Sequence, residues 1–260
     1  MAQARRQLVY PSSDPDARTL WSACQHGGVR DVDAILHGPV DVNKRTARGD
    51  TALLIAVHYG QTAVVERLLR HPGLDVNYAS HNAGTALHLA AHRGNVAAVS
   101  SLLQHEECDV NVRMPNHRLS ALMFATQQGH REVVELLLKH PKIAVELQTN
   151  AGFTALHMAA HAGDVKLLLL LLLRDPGNGW VETRCEPEYG GMTALDVARG
   201  ANNEAAVELL SRARARSGKS APADARGSHS GWDSTDTTKC MCGCRPAGGS
   251  DLWSTLMKSL

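Results

Sequence analysis

Cys240-Met-Cys-Gly-Cys244 is the densest run of nucleophilic side chains in the sequence. Three thiolates there, with His229 as a fourth donor, have the chemistry of a zinc site, but Cys-x-Cys-x-Cys lacks the two-residue gaps of zinc knuckles. Lipidated or unmodified thiols are the competing readings. The remaining cysteines, Cys24, Cys108 and Cys185, are scattered, which fits reduced thiols in the cytoplasm or nucleus better than a disulfide framework. His58, His92 and His161 each stand two residues before a glycine, and Gln127 takes that place before Gly129. Imidazoles in such a column can make a contact sensitive to pH between about 5 and 8. His88 and His157 form a second pair, for which catalysis would require a converging nucleophile or carboxylate. Ser217-Gly-Lys-Ser220 matches the end of a phosphate-binding loop, but position 213 is Ala where that loop needs Gly, and the motif is rejected.

These residues are set in a repeat. Thr51-Ala-Leu-Leu-Ile-Ala56, Thr85-Ala-Leu-His-Leu-Ala90, Ser120-Ala-Leu-Met-Phe-Ala125, Thr154-Ala-Leu-His-Met-Ala159 and Thr193-Ala-Leu-Asp-Val-Ala198 share one template, with starts 34, 35, 34 and 39 residues apart. Nine residues after each start comes Gly60, Gly94, Gly129, Gly163 or Asn202. Each copy predicts a Thr or Ser helix cap, a short apolar helix, a left-handed turn and a second apolar helix. An extended Asp-Val-Asn segment then leads to a polar tip. An earlier copy fits the same frame through Leu20, Ala23, Gly27, Val32, Ile35-Leu36 and Asp41-Val-Asn43.

Composition agrees. Of 260 residues, 43% are hydrophobic but only 4% aromatic, a mixture suited to closely packed short helices. A formal net charge of +1 argues against a dedicated nucleic-acid binder. No apolar run reaches the about 20 residues a membrane span needs, and Met1 to Tyr10 has no secretory pattern.

The template resembles the ankyrin repeat, with its period near 33 and Thr-Pro-Leu-His-x-Ala signature. The resemblance covers residues 18–212, divided as 18–43, 44–77, 78–111, 112–146, 147–182 and 183–212. Ala replaces the family's Pro at all five first-turn positions, and copies 4 and 5 end in Glu146 and Glu182 where the family has Asn. The resemblance implies an all-α solenoid of stacked helix pairs with β-hairpin fingers, and a structural role for His88 and His157 near their caps. Residues 1–17 are expected to form an extended arm and 213–251 a disordered tail. Leu252, Trp253, Leu256, Met257 and Leu260 then follow as a short amphipathic segment at 252–260.

The implied function is non-catalytic: an adaptor, scaffold or inhibitor that holds a protein partner on its concave face and finger tips, with no cofactor. Those positions are Arg48, His58, Tyr59, His81, Asn82, His92, Arg93, Asn116, Arg118, Gln127, Gln128, Asn150, Phe153, His161, Tyr189 and Met192. Phe153 and Met192, just before helix caps, are expected to be exposed, as interface anchors are. Arg45, Arg48, Arg93, Arg113 and Arg118 point to an acidic partner surface. Two extra residues in 174–180 and three in 183–192 are expected to form loops. The tail has room for a second partner. The rival readings are a metal- or redox-responsive regulator acting through Cys240, Cys242 and Cys244, and a non-catalytic subunit of an enzyme complex.

Overall fold

Thr and Ser at the template starts are helix caps because their hydroxyl oxygens accept backbone N–H groups that a first turn leaves without partners. In the computed structural model, which describes residues 15–81, 83–175 and 179–216, Thr51 Oγ1 accepts from Leu54 N at 3.4 Å. Ser120 Oγ accepts from Met123 N at 3.4 Å, and Thr193 Oγ1 from Asp196 N at 3.3 Å. Twelve α-helices follow one another: Pro15–His26 (α1), Val29–Leu36 (α2), Ala52–His58 (α3), Thr62–Leu69 (α4), Ala86–Arg93 (α5), Val96–Leu103 (α6), Ala121–Gln127 (α7), Arg131–Lys139 (α8), Ala155–Ala162 (α9), Val165–Leu173 (α10), Ala194–Gly200 (α11) and Glu204–Arg216 (α12). Short 3-10 turns at Gly179–Glu182 and Pro187–Tyr189 occupy the insertions of the fifth and sixth copies. The first helix thus begins inside the expected 1–17 arm, and the last runs past 212.

The backbone divides into two compact units, one of residues 15–90 with 97–109 and the other of 91–96 with 110–216. In the first, α1 packs on α3 and α2 on α4. In the second, α7, α9 and α11 form one row and α8, α10 and α12 another. Within each unit these helices are covered by their counterparts in the neighbouring copy, which is what a repeat too small to bury both faces requires. The interior is Leu, Val and Ala, with Trp21 and Phe124 the bulkiest fully buried side chains.

The fingers are narrow antiparallel turns. Among the described residues they hold only single antiparallel bridges, Ser80 with Gly84, Arg113 with Ser120 and Arg184 with Thr193. What ties finger bases together is asparagine. Asn43 Nδ2 donates to Gly73 O at 2.6 Å while its Oδ1 accepts from Asp75 N at 2.9 Å. Asn77 repeats this with Glu107 O and Asp109 N, and Asn111 with Lys142 O and Ala144 N. One side-chain amide thereby satisfies a donor and an acceptor of the following copy.

Glu146 and Glu182 end that ladder. Glu182 serves the fold in another way: Arg214 Nε lies 2.8 Å from its Oε1, and Arg214 Nη2 donates to Oε2 at 3.3 Å. This half-buried ion pair, with its one hydrogen bond, fastens the final helix to the fifth copy.

Glycine at the first-helix ends answers two demands. Gly129 and Gly163 both have a left-handed backbone, at φ 74° and 68°. A Cβ on Gly129 would meet nothing within 4 Å, whereas one on Gly163 would lie 2.7 Å from the Asn203 amide. Asn203 Nδ2 donates there to His161 O at 2.7 Å and Ala160 O at 3.1 Å. Gly129→Ala is expected to cost about 1–2 kcal/mol from backbone strain alone, and Gly163→Ala about 1 kcal/mol more for the displaced hydrogen bonds. Urea denaturation of the two variants measures the difference.

Candidate protein-binding site

His88 and His157 are part of the scaffold. His88 Nδ1 accepts from Thr85 N at 3.2 Å and lies 2.8 Å from Thr85 Oγ1. His157 Nδ1 accepts from Thr154 N at 3.2 Å, so its proton resides on Nε2, which donates to Met192 O at 3.1 Å. Burial holds the His157 imidazole down to about 4, against the opposing pull of the Met192 carbonyl and the Asp196 charge. It is neutral near pH 7 and joins two copies.

Of the expected binding residues, Arg48, His58, Tyr59 and His81 belong to the first unit. Arg48 and His81 are exposed on fingers, and His58 and Tyr59 are half-buried at the end of α3, their rings edge to face at 4.9 Å. Arg45 lies over the Tyr78 ring, 4.5 Å from its centre, so that arginine is engaged within the fold. Asn82 lies outside the described residues, as do His229, Cys240, Cys242, Cys244 and the 252–260 segment.

The second unit carries the others. Arg93, Gln127, Gln128 and His161 are exposed at first-helix ends, while His92 is half-buried, edge-on to the Phe124 ring at 5.9 Å. Asn116, Arg118 and Asn150 are exposed on fingers. Tyr189 closes the Pro187–Tyr189 turn. Met192 is half-buried against a small core of Ala151, Phe153, Cys185 and Val197.

Phe153 corrects the expectation of an exposed anchor: it is 3% exposed. Its carbonyl accepts from Thr149 N at 2.9 Å and its own N–H donates to Thr149 Oγ1 at 3.1 Å, which turns the ring inward. The His157 ring stands edge-on to it at 5.6 Å. Phe153→Ala would therefore report on packing and not on binding.

Two carboxylates escaped the sequence reading. Glu146 and Glu186 join Arg113, Arg118, Gln148 and Asn150 around a cleft of about 350 Å³ between the fingers of the second unit. A departure from Asn at position 146 was the available signal for the first. For Glu186 there was none, because only the path of the 183–192 insertion brings it there. Arg118 has φ 56°, a left-handed backbone that is costly for a residue with a side chain. Arg118→Gly should raise stability by about 0.5–1 kcal/mol, which urea denaturation of the variant would register.

Among the described residues no three His, Cys, Asp or Glu side chains form a group that could hold a metal, and no helix is long and apolar enough to cross a membrane. Burial raises the Cys24 thiol to about 12, and burial with the Asp109 charge raises Cys108 to about 11, so neither is a thiolate near pH 7.

The pattern described as "Ankyrin repeats (3 copies)" matches residues 20–114, 74–148 and 122–219. The chain belongs to the ankyrin-repeat family. Among solved structures it is similar to the ankyrin repeat protein EF0377, with a TM-score of 0.67 at 23% identity over 75% of this chain and 98% of that one. An ankyrin repeat domain from Acinetobacter baumannii AYE gives a TM-score of 0.67 at 24% identity over 75% of this chain and 97% of that one. Both show the fold. Comparison with curated proteins gave no match. Ankyrin repeats generally mediate protein–protein interactions and are typically non-catalytic.

Proposed function

We propose that this ankyrin-repeat chain is a non-catalytic adaptor, scaffold or inhibitor that binds a protein partner on first-helix ends and finger tips. The observation that carries the reading is the division of labour along each copy in the second unit. Ala121 to Thr126 are all buried, yet the next two residues, Gln127 and Gln128, are exposed. Ala155 to Ala160 are likewise buried, and His161 and Ala162 are exposed. Side chains at these places are held on a packed scaffold and need little ordering on binding, which favours affinity. Exposed Arg93, Arg113 and Arg118 fit acidic groups on the partner.

Affinity capture followed by mass spectrometry, with the full chain and an Arg93→Ala/Gln127→Ala/Gln128→Ala variant, tests this. The variant should lose specific captured proteins with an unchanged melting temperature. An identical set of captured proteins would place binding elsewhere.

A further inference from the structure

The finger cleft of the second unit has a charge pattern more specific than a basic surface. Arg113, Arg118, Glu146 and Glu186 line it together, and all four are exposed. Among the described residues none of the four makes a side-chain hydrogen bond or an ion pair with the others, so two guanidinium groups and two carboxylates line one cleft without pairing among themselves. The walls are already joined. Asn150 Nδ2 donates to Asn116 O at 2.8 Å, Asn150 N to His117 O at 3.2 Å, and Glu186 N to Ala151 O at 3.0 Å. The cleft is thus formed before any partner arrives, and its occupant bears little of the ordering cost.

Resting on the reading of the chain as an interaction module, we infer that this cleft takes a partner segment bearing both an acidic and a basic side chain. The acid meets Arg113 and Arg118, and the base meets Glu146 and Glu186. A charge removed from water on binding must be matched by its opposite or the complex is penalised. A purely acidic segment would leave Glu146 and Glu186 without partners and repelled. A polyanion such as nucleic acid fails for the same reason, and an apolar helix would strand all four charges. Gln148 and Asn150 supply neutral donors and acceptors beside them.

The test is to pan a random peptide display library on the full chain and measure enriched peptides against wild type and two double variants, Arg113→Glu/Arg118→Glu and Glu146→Lys/Glu186→Lys. Arg113→Gln/Arg118→Gln and Glu146→Gln/Glu186→Gln repeat the measurement without charge reversal. Enriched peptides should carry Asp or Glu together with Lys or Arg, and each reversal should weaken binding at least about tenfold. Peptides of one charge sign, or binding indifferent to both reversals, would overturn the cleft assignment. If such indifferent peptides are lost with Arg93→Ala/Gln127→Ala/Gln128→Ala, the interaction module stands and only the cleft falls. Failure to enrich any peptide would count against both.

Discussion

Phe124→Ala should lower the unfolding free energy by about 3–5 kcal/mol, the largest effect expected of a single substitution here. Phe124 is fully buried in α7, and it is one of only two phenylalanines in the chain. Its places in the other copies are held by Ile55, Leu89, Met158 and Val197, so this copy alone places an aromatic ring there. Helices of seven to nine residues packed on Ala and Leu have few ways to collapse into the space an aromatic ring leaves. The His92 ring also loses its edge-on contact. Leu122→Ala, in the same helix, should cost about 2–5 kcal/mol. Chemical denaturation monitored by circular dichroism reads both. A cost below about 1 kcal/mol for Phe124→Ala would mean that α7 is not the packed centre of its unit.

Acid is the second strong perturbation. The unfolded chain binds a proton at His157 with the ordinary value of 6.5, and the folded chain does so only at about 4. Between those values the unfolded state holds more protons, so stability must rise with pH across that window. The contribution is complete above pH 6.5, falls as the pH drops toward 4, and changes no further below it. Its size is about 3 kcal/mol. The structural cause is that Nδ1 accepts the Thr154 N–H, and protonation there would abolish the acceptor. Carboxylates also titrate at the lower end: Asp164 is partly desolvated, but Arg131 and the Leu167 N–H hold it below the usual range. His157→Gln separates the two, since Gln also suits the third helical position of a cap but carries no titrating group. Between pH 6.5 and 4 wild type should lose about 3 kcal/mol more than this variant. Parallel loss in both would remove His157 as the cause.

Much of this architecture is legible in the residues because its rules are local. A Thr or Ser cap, an apolar turn and a glycine nine places on need only their own copy to act, and Asn202, at φ 55°, takes the left-handed turn as the glycines do. What escaped the reading depends on the next copy. Phe153 precedes a cap and looks like a tip, but Cys185 and Met192 from the lengthened 183–192 segment cover it. Asn43, Asn77 and Asn111 look like solvated turn residues until the backbone they bridge, 30 to 33 residues ahead, is placed beside them. The same holds for Glu182, whose replacement of Asn reads as decay of the repeat but supplies the partner of Arg214.

Hydrogen–deuterium exchange of the full chain, with and without a captured partner, tests the proposed binding surface most directly. Protection should appear in the backbone of 113–118, 127–128 and 146–150 and leave the second-helix segments 131–139 and 165–173 unchanged. Protection confined to those second helices would mean that the chain grips its partner with the opposite side of each repeat.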